Sequence, residues 1–306
     1  MRVAIVGLGL IGGSIARAVA ARRDWPVSAW DPDRGTLRAA ARAGLITAAP
    51  DPERAVAGAE LTVLAAPPLA NLALVERLGP GLAEAGTTLT DVSSAKGAIA
   101  ARAERIAGLR FVGGHPLSGR TERGFASSRA DLFVGRPWVV VAGGRAQARD
   151  VARVRALARA CRARPLDLAA DEHDRAVAAI SHLPLLVSAA LAEAALEDDA
   201  WPIARVLAAQ GFRDTTRLAR GDPTLGAGIL ATNPAAVLVA LGRLAAILET
   251  WRAELMALAE TTADRPIAEA ASPGSTAEPP PPGPAARLER RLARVRSGLG
   301  AEVPLP

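Results

Sequence analysis

Two regimes of hydrophobic and polar spacing divide this chain. Through residue 168, short apolar runs rich in Val, Ile and Leu alternate with longer stretches of helical spacing. The runs at 2–7, 27–30, 60–65, 87–92, 111–116, 138–142 and 165–168 predict strands, several apolar on both faces as in a covered parallel sheet. Helical spacing over 14–21, 33–43, 69–82, 97–107 and 147–162 supplies the connections. Strand alternating with helix predicts an α/β fold with a doubly wound, mostly parallel sheet. From Asp171 to about Thr262 only helical spacing remains, broken at Pro184, Pro202, Pro223 and Pro234. These helices are apolar around much of their circumference, more than an isolated bundle can bury, which predicts a subunit interface. Four consecutive prolines, Pro279 to Pro282, predict an extended linker, and an Arg-rich amphipathic stretch follows it.

The turn after the first strand reads Gly7-Leu8-Gly9-Leu10-Ile11-Gly12, a complete G-x-G-x-x-G between strand and helix. In that geometry Gly7 permits the tight turn, Gly9 leaves room for a pyrophosphate, and Gly12 lets the helix lie close on the strand. Leu10 and Ile11, within the glycine turn, and the helix N-terminus that follows it offer free amides to the phosphates. The second strand ends on Asp31, placed to accept both ribose hydroxyls of an adenosine and to repel a 2′-phosphate. NAD is therefore favoured over NADP. The expected organisation is a Rossmann-type NAD-binding domain over 1–168 and an all-α substrate and dimerisation domain over 169–265. A Pro-rich linker over 266–284 and a C-terminal helix and tail over 285–306 complete it.

Composition narrows the function classes. No uninterrupted apolar run reaches the ~18 residues of a membrane span, and no secretory leader is recognisable. The single Cys161 excludes an internal disulfide. The expectation is a cytoplasmic protein with no membrane partner. A net charge of +6 invites a nucleic-acid reading, yet the cations are interleaved with Asp and Glu and form no cluster with aromatics, so no nucleic-acid partner is expected. Among 37 Lys and Arg residues Lys96 is the only lysine, and His115, His173 and His182 are the only histidines. These scarce polar residues are the natural candidates for chemistry.

Ser93, Ser94 and Lys96 stand where a strand end becomes a helix start. Serine there either caps the helix or, at the carboxyl edge of the sheet, serves the reacting group; Ser94 is the candidate. His115, between Gly113-Gly114 and Pro116, is suited to take a hydroxyl proton as hydride leaves, or else it is a structural histidine bonded to a loop carbonyl. His173 and His182 are nine residues apart, which at ~100° per residue puts them on opposite sides of a helix and excludes a shared metal. His173, among Asp171, Glu172 and Asp174, reads as structural. His182 precedes Leu183-Pro184, where the proline leaves the Ile180 carbonyl without its helical partner and predicts a kink. Arg213, Arg217 and Arg220 line one helix face. A solvated face with an Asp214–Arg217 pair is the simpler reading, and an anion site the alternative.

Taken in order, several segments resemble the prephenate/arogenate (cyclohexadienyl) dehydrogenase family from residue 1 to about 250. They are Gly7 to Gly12, Asp91 to Gly97, Gly113-Gly114-His115-Pro116-Leu117-Ser118-Gly119, Ala130 to Phe133, His173-Asp174, Ile180-Ser181-His182-Leu183-Pro184 and Gly211 to Arg217. The resemblance implies NAD-dependent oxidative decarboxylation of prephenate or arogenate on the route to tyrosine, without a metal, by a homodimer paired through the helical domain. It implies that His115 is the catalytic histidine on the C4 hydroxyl, that Ser94 helps orient that hydroxyl, that Arg217 holds a substrate carboxylate, and that His182 faces the substrate. The chain departs from the family pattern at Leu185, where a second histidine is usual. It departs again at Leu225-Gly226-Ala227-Gly228, where a tryptophan is common. Two other readings stay open. One is a related Rossmann oxidoreductase acting on another cyclohexadienyl or hydroxy-acid substrate, and the other is a non-catalytic NAD-binding protein.

Overall fold

The computed structural model describes residues 1–22, 24–118, 122–263 and 283–302. All but the last two residues of the expected Pro-rich linker, and Gly119 of the His115 segment, lie outside them. Strands β1 (Val3–Val6), β2 (Val27–Trp30), β3 (Thr47–Ala48), β4 (Leu61–Leu64), β5 (Thr88–Asp91), β6 (Arg110–Pro116), β7 (Pro137–Ala142) and β8 (Arg164–Asp167) form one sheet. Its order is β3-β2-β1-β4-β5-β6-β7-β8. Neighbours run parallel except β6 and β7, which are antiparallel with His115 opposite Val139. Helices α1 (Leu10–Ala20), α2 (Arg34–Arg42), α3 (Pro52–Val56), α4 (Pro68–Glu84), α5 (Gly97–Glu104) and α6 (Ala148–Ala160) connect the strands.

β1 and β4 are buried at every position, as their apolar sequences require. Successive β1 residues serve opposite cores: Ile5 belongs to the one that also holds Ile15, Val19 and Trp138, while Ala4 and Val6 belong to the one with Leu64, Leu78 and Leu89. The chain leaves β1 toward β2 and β3, then crosses back to β4 on the other side. That reversal opens a crevice at the carboxyl ends of β1 and β4, the position where such sheets bind ligands. β5 and β6 pair only at Thr88–Arg110 and Leu89–Phe111 before they part, and the wedge between them frames the site described below.

Helix α7 (Ala170–Val177) runs through a π-helical turn, Ala178–His182, into α8 (Leu183–Glu197). The kink expected at Pro184 takes this form, with the Leu183 N–H donating five residues back to the Ala178 carbonyl. Then follow α9 (Trp201–Leu207), α10 (Gln210–Thr215), a short 3-10 turn Leu218–Arg220, α11 (Pro223–Thr232), α12 (Pro234–Ala263) and α13 (Pro284–Glu302). The fold divides into two compact units, Met1–Leu238 and Val239–Pro306. α7 to α11 thus belong to the same unit as the sheet.

Two helical stretches, Ala170–Glu197 and Pro234–Thr261, are long and apolar enough to cross a membrane by length and composition alone. Polar residues interrupt each of them, so neither forms an unbroken apolar run. The first carries His173, Asp174 and His182 buried in a hydrogen-bonded network, which argues against a lipid-facing span.

Candidate active site

The turn from β1 into α1 is built for close approach. Gly7 has φ +99°, in the left-handed region, and a Cβ there would lie 2.7 Å from the Ala65 carbonyl carbon. A Cβ on Gly12 would collide with the Gly7 carbonyl oxygen, so α1 can lie this close to the turn only with glycine at that position. Gly9 is the N-cap of α1, has open space where a Cβ would stand, and no side chain caps the helix. The amides of the first turn, from Leu10 and Ile11 onward, therefore face outward without a side-chain acceptor. The side chains of Leu10 and Ile11 pack against the core. The Asp31 carboxylate accepts the Leu8 N–H at 2.6 Å and the Asp33 N–H at 2.8 Å, tying the end of β2 to the glycine turn. It borders a cleft of about 580 Å³ lined also by Trp30, Arg34 and Arg38. These residues fit a dinucleotide: open backbone, free amides and an acid at the second strand end.

A second group of polar residues gathers at the carboxyl ends of β5 and β6. Lys96 is fully buried, with Nζ 2.6 and 2.5 Å from the two Asp91 carboxylate oxygens and 2.7 Å from the Gly114 carbonyl. The ammonium bridges the strands where their own pairing stops. A Cβ on Gly114 would stand 2.6 Å from the Asp91 carbonyl oxygen, so glycine is required just before His115. Burial pulls the Lys96 pKa below its ordinary value, and Asp91 opposes the shift.

His115 Nδ1 lies 2.9 Å from His173 Nε2, with the two rings edge to face. His173 Nδ1 in turn lies 2.8 Å from Asp174 Oδ1. The Asp174 carboxylate also accepts the Lys96 and Gly97 N–H groups, each at 2.7 Å, and so caps α5 from another helix. The serine cap expected there is not formed. Ser93 Oγ accepts from Asn71 Nδ2 at 2.9 Å, while Ser94 Oγ is buried without a hydrogen-bond partner among the described residues. Burial, reinforced by the Lys96 ammonium and by repulsion from His173 and His182 when they are protonated, holds the His115 pKa well below its ordinary value. His115 is therefore neutral at pH 7, as a proton acceptor must be.

His182 is fully buried in the π-helical turn. Asn233 Nδ2 lies 3.2 Å from its Nδ1 and donates to the Asp174 carbonyl at 2.8 Å, while His182 Nε2 has no partner among the described residues. Burial brings its pKa down to about 4. The structure thus overturns two readings. His173, read as structural among its neighbouring acids, is the direct hydrogen-bond partner of His115. The phase argument that put His173 and His182 on opposite sides fails because the π turn adds a residue: His173 bonds the Asp174 carboxylate directly, and Asn233 joins His182 to the Asp174 carbonyl. Asp174 and Asn233 went unread as site residues. Their only trace in sequence is their place in the Asp-Glu-His-Asp and Asn-Pro segments.

Arg217 is exposed, and the Asp214 pair expected of it gives way to a Gln210 Nε2 donor on Asp214 at 2.7 Å. Arg217 leads into the 3-10 turn, which is fastened to the His182 helix by the Ala219 N–H donating to Ser188 Oγ at 3.0 Å. Among the described residues it forms no bond to the histidine network. The two departures noted above are neighbours: a Cβ on Gly226 would lie 3.6 Å from Leu185 Cδ2.

A family model described as the nucleotide-binding domain of prephenate dehydrogenase matches residues 15–166, and one described as its dimerization domain matches 169–267. The prephenate dehydrogenase of Bacillus subtilis is 30% identical over 238 residues, covering 76% of this chain and 64% of that protein. The cyclohexadienyl dehydrogenase of Zymomonas mobilis is 30% identical, covering 82% of this chain and 87% of that protein. The crystal structure of Synechocystis arogenate dehydrogenase matches with a TM-score of 0.73 at 27% identity, covering 99% of this chain and 100% of that one. This chain spans 64% of the length of the Bacillus relative.

Proposed function

The chain belongs to the prephenate dehydrogenase family, and we propose that it catalyses the NAD-dependent oxidative decarboxylation of prephenate or arogenate in tyrosine biosynthesis. The observation that carries this reading is a neutral His115 at a strand end, backed by His173 and beside the buried Lys96–Asp91 pair. The dinucleotide is held by Gly7, Gly9, Leu10, Ile11, Gly12 and Asp31, and when bound its nicotinamide accepts hydride.

The substrate hydroxyl at C4 gives its proton to His115 as hydride leaves the same carbon. The ring carboxylate departs as CO₂, its bonding pair enters the ring, and aromatisation drives the step. The proton then returns to the phenolate oxygen, so the product is 4-hydroxyphenylpyruvate from prephenate or tyrosine from arogenate, with no net proton released. Ser94 Oγ, buried and without a hydrogen-bond partner among the described residues, is suited to orient the hydroxyl. His182 faces the substrate and Arg217 holds a carboxylate in a bidentate contact. The site calls for no metal. The apolar helical faces pair two copies of the chain, and the enzyme works in the cytoplasm with its small-molecule substrates.

NADH formation with prephenate and with arogenate, on the wild type and on His115→Asn, tests this. Turnover of either acid that falls by ~10³-fold or more in the variant is expected. Silence with both acids, while NAD still binds, would overturn the assignment.

A further inference from the structure

Which hydrogen each buried imidazole carries follows from neighbours that can only accept. The Asp174 carboxylate takes two backbone amides and still faces His173 Nδ1. An ionised carboxylate offers no hydrogen, so His173 Nδ1 must supply one. With its one hydrogen committed to Asp174, His173 turns its Nε2 lone pair toward His115, whose Nδ1 carries the hydrogen between the rings. That leaves His115 Nε2 as a lone pair.

The logic runs the opposite way on the other ring. The Asp174 backbone carbonyl, also only an acceptor, lies 2.8 Å from Asn233 Nδ2 and fixes that atom as the amide nitrogen. Its second hydrogen points to His182 Nδ1, which therefore accepts. The His182 hydrogen must sit on Nε2, the buried atom without a partner.

We propose that Asp174, through His173 and Asn233, locks His115 and His182 in opposite tautomers, so that the site presents one imidazole acceptor and one imidazole donor. This rests on His115 as the proton acceptor. The substrate chemistry matches: a hydroxyl that must release a proton meets His115 Nε2, and an oxygen that needs a donor meets His182 Nε2–H. His173 and Asn233 are positioning residues. The charged and titratable groups facing His115 are the Lys96–Asp91 pair at the β5–α5 junction, His173 and Asp174 from α7, and His182 from the π turn.

With three histidines in the chain, a two-bond ¹H–¹⁵N spectrum of histidine-labelled protein at neutral pH reads each tautomer, once single substitutions assign the rings. His115 and His173 are expected as Nδ1–H and His182 as Nε2–H. His115 carrying its hydrogen on Nε2, or His182 on Nδ1, overturns the proposal. The spectrum needs no substrate, so it stands or falls apart from the choice of reaction. A kinetic arm compares His173→Leu, which offers no acceptor, with His173→Gln, whose amide oxygen restores one. We expect kcat to fall ~100-fold in the first with KM for NAD⁺ unchanged, and to return to within about 5-fold of wild type in the second. Equal losses in both variants would also overturn it.

Discussion

His182 shows how far one residue's surroundings can move its chemistry. Buried in the π turn, its imidazole titrates at about 4 instead of the ordinary 6.5. The unfolded chain therefore takes up this proton first as pH falls. The stabilisation from keeping His182 neutral is complete above pH 6.5 and is lost as pH drops toward about 4. A shift of that size corresponds to at most about 3 kcal/mol. Thermal melts of wild type and His182→Asn across this window are expected to converge toward low pH, the variant losing less stability on acidification. Parallel curves would show that His182 is not the titrating group. At this scale the sequence singled out His115, Ser94 and His182 as candidates, because their settings at strand ends and beside a proline are local. It did not foresee the His115–His173 contact, because the two residues are 58 apart in the chain.

The β5–β6 wedge is the element that most depends on a single buried charge. Lys96 replaces missing ladder hydrogen bonds with three contacts, two to Asp91 and one to Gly114. Lys96→Met keeps the volume but strands the Asp91 carboxylate in a dry interior, a loss of about 3–5 kcal/mol. Urea unfolding should show it as a lower midpoint with an unchanged slope. Lys96→Met combined with Asp91→Leu should recover part of the loss, since no charge is then left unpaired. A midpoint within error of wild type for the single variant would mean that Asp91 finds another partner. Elements with clear periodicity, β1, α1, β4, β5 and α6, were legible from the chain. β3 and α3 were not, because two residues of strand and five of helix are too short to display a period.

Across the whole molecule, apolar side chains remain on helical surfaces. Val187, Leu191 and Leu196 on α8, and Ile203, Val206 and Leu207 on α9, are exposed in the first unit, with Val206 at 78%. Ile247, Leu255 and Met256 are exposed in the second. A patch of this kind is costly in water and is what a homodimer interface would cover. Light scattering during size exclusion should give the mass of a dimer, and Ile203→Glu with Val206→Glu should shift it toward monomer. A wild-type monomer would count against pairing through this face.

Sequence by itself determined what depends on near neighbours. Apolar periodicity set the strands and helices, the Gly7 to Gly12 spacing with Asp31 marked the candidate dinucleotide turn, and the scarcity of histidine singled out His115 as the candidate for chemistry. Tertiary structure alone decided how these parts cooperate. Asp174 reaches the α5 amides across 78 residues and His115 meets His173 across 58. The topology of the sheet sets such distances, and no local pattern encodes them. A proton's position on an imidazole depends on which acceptor the fold brings to its other nitrogen.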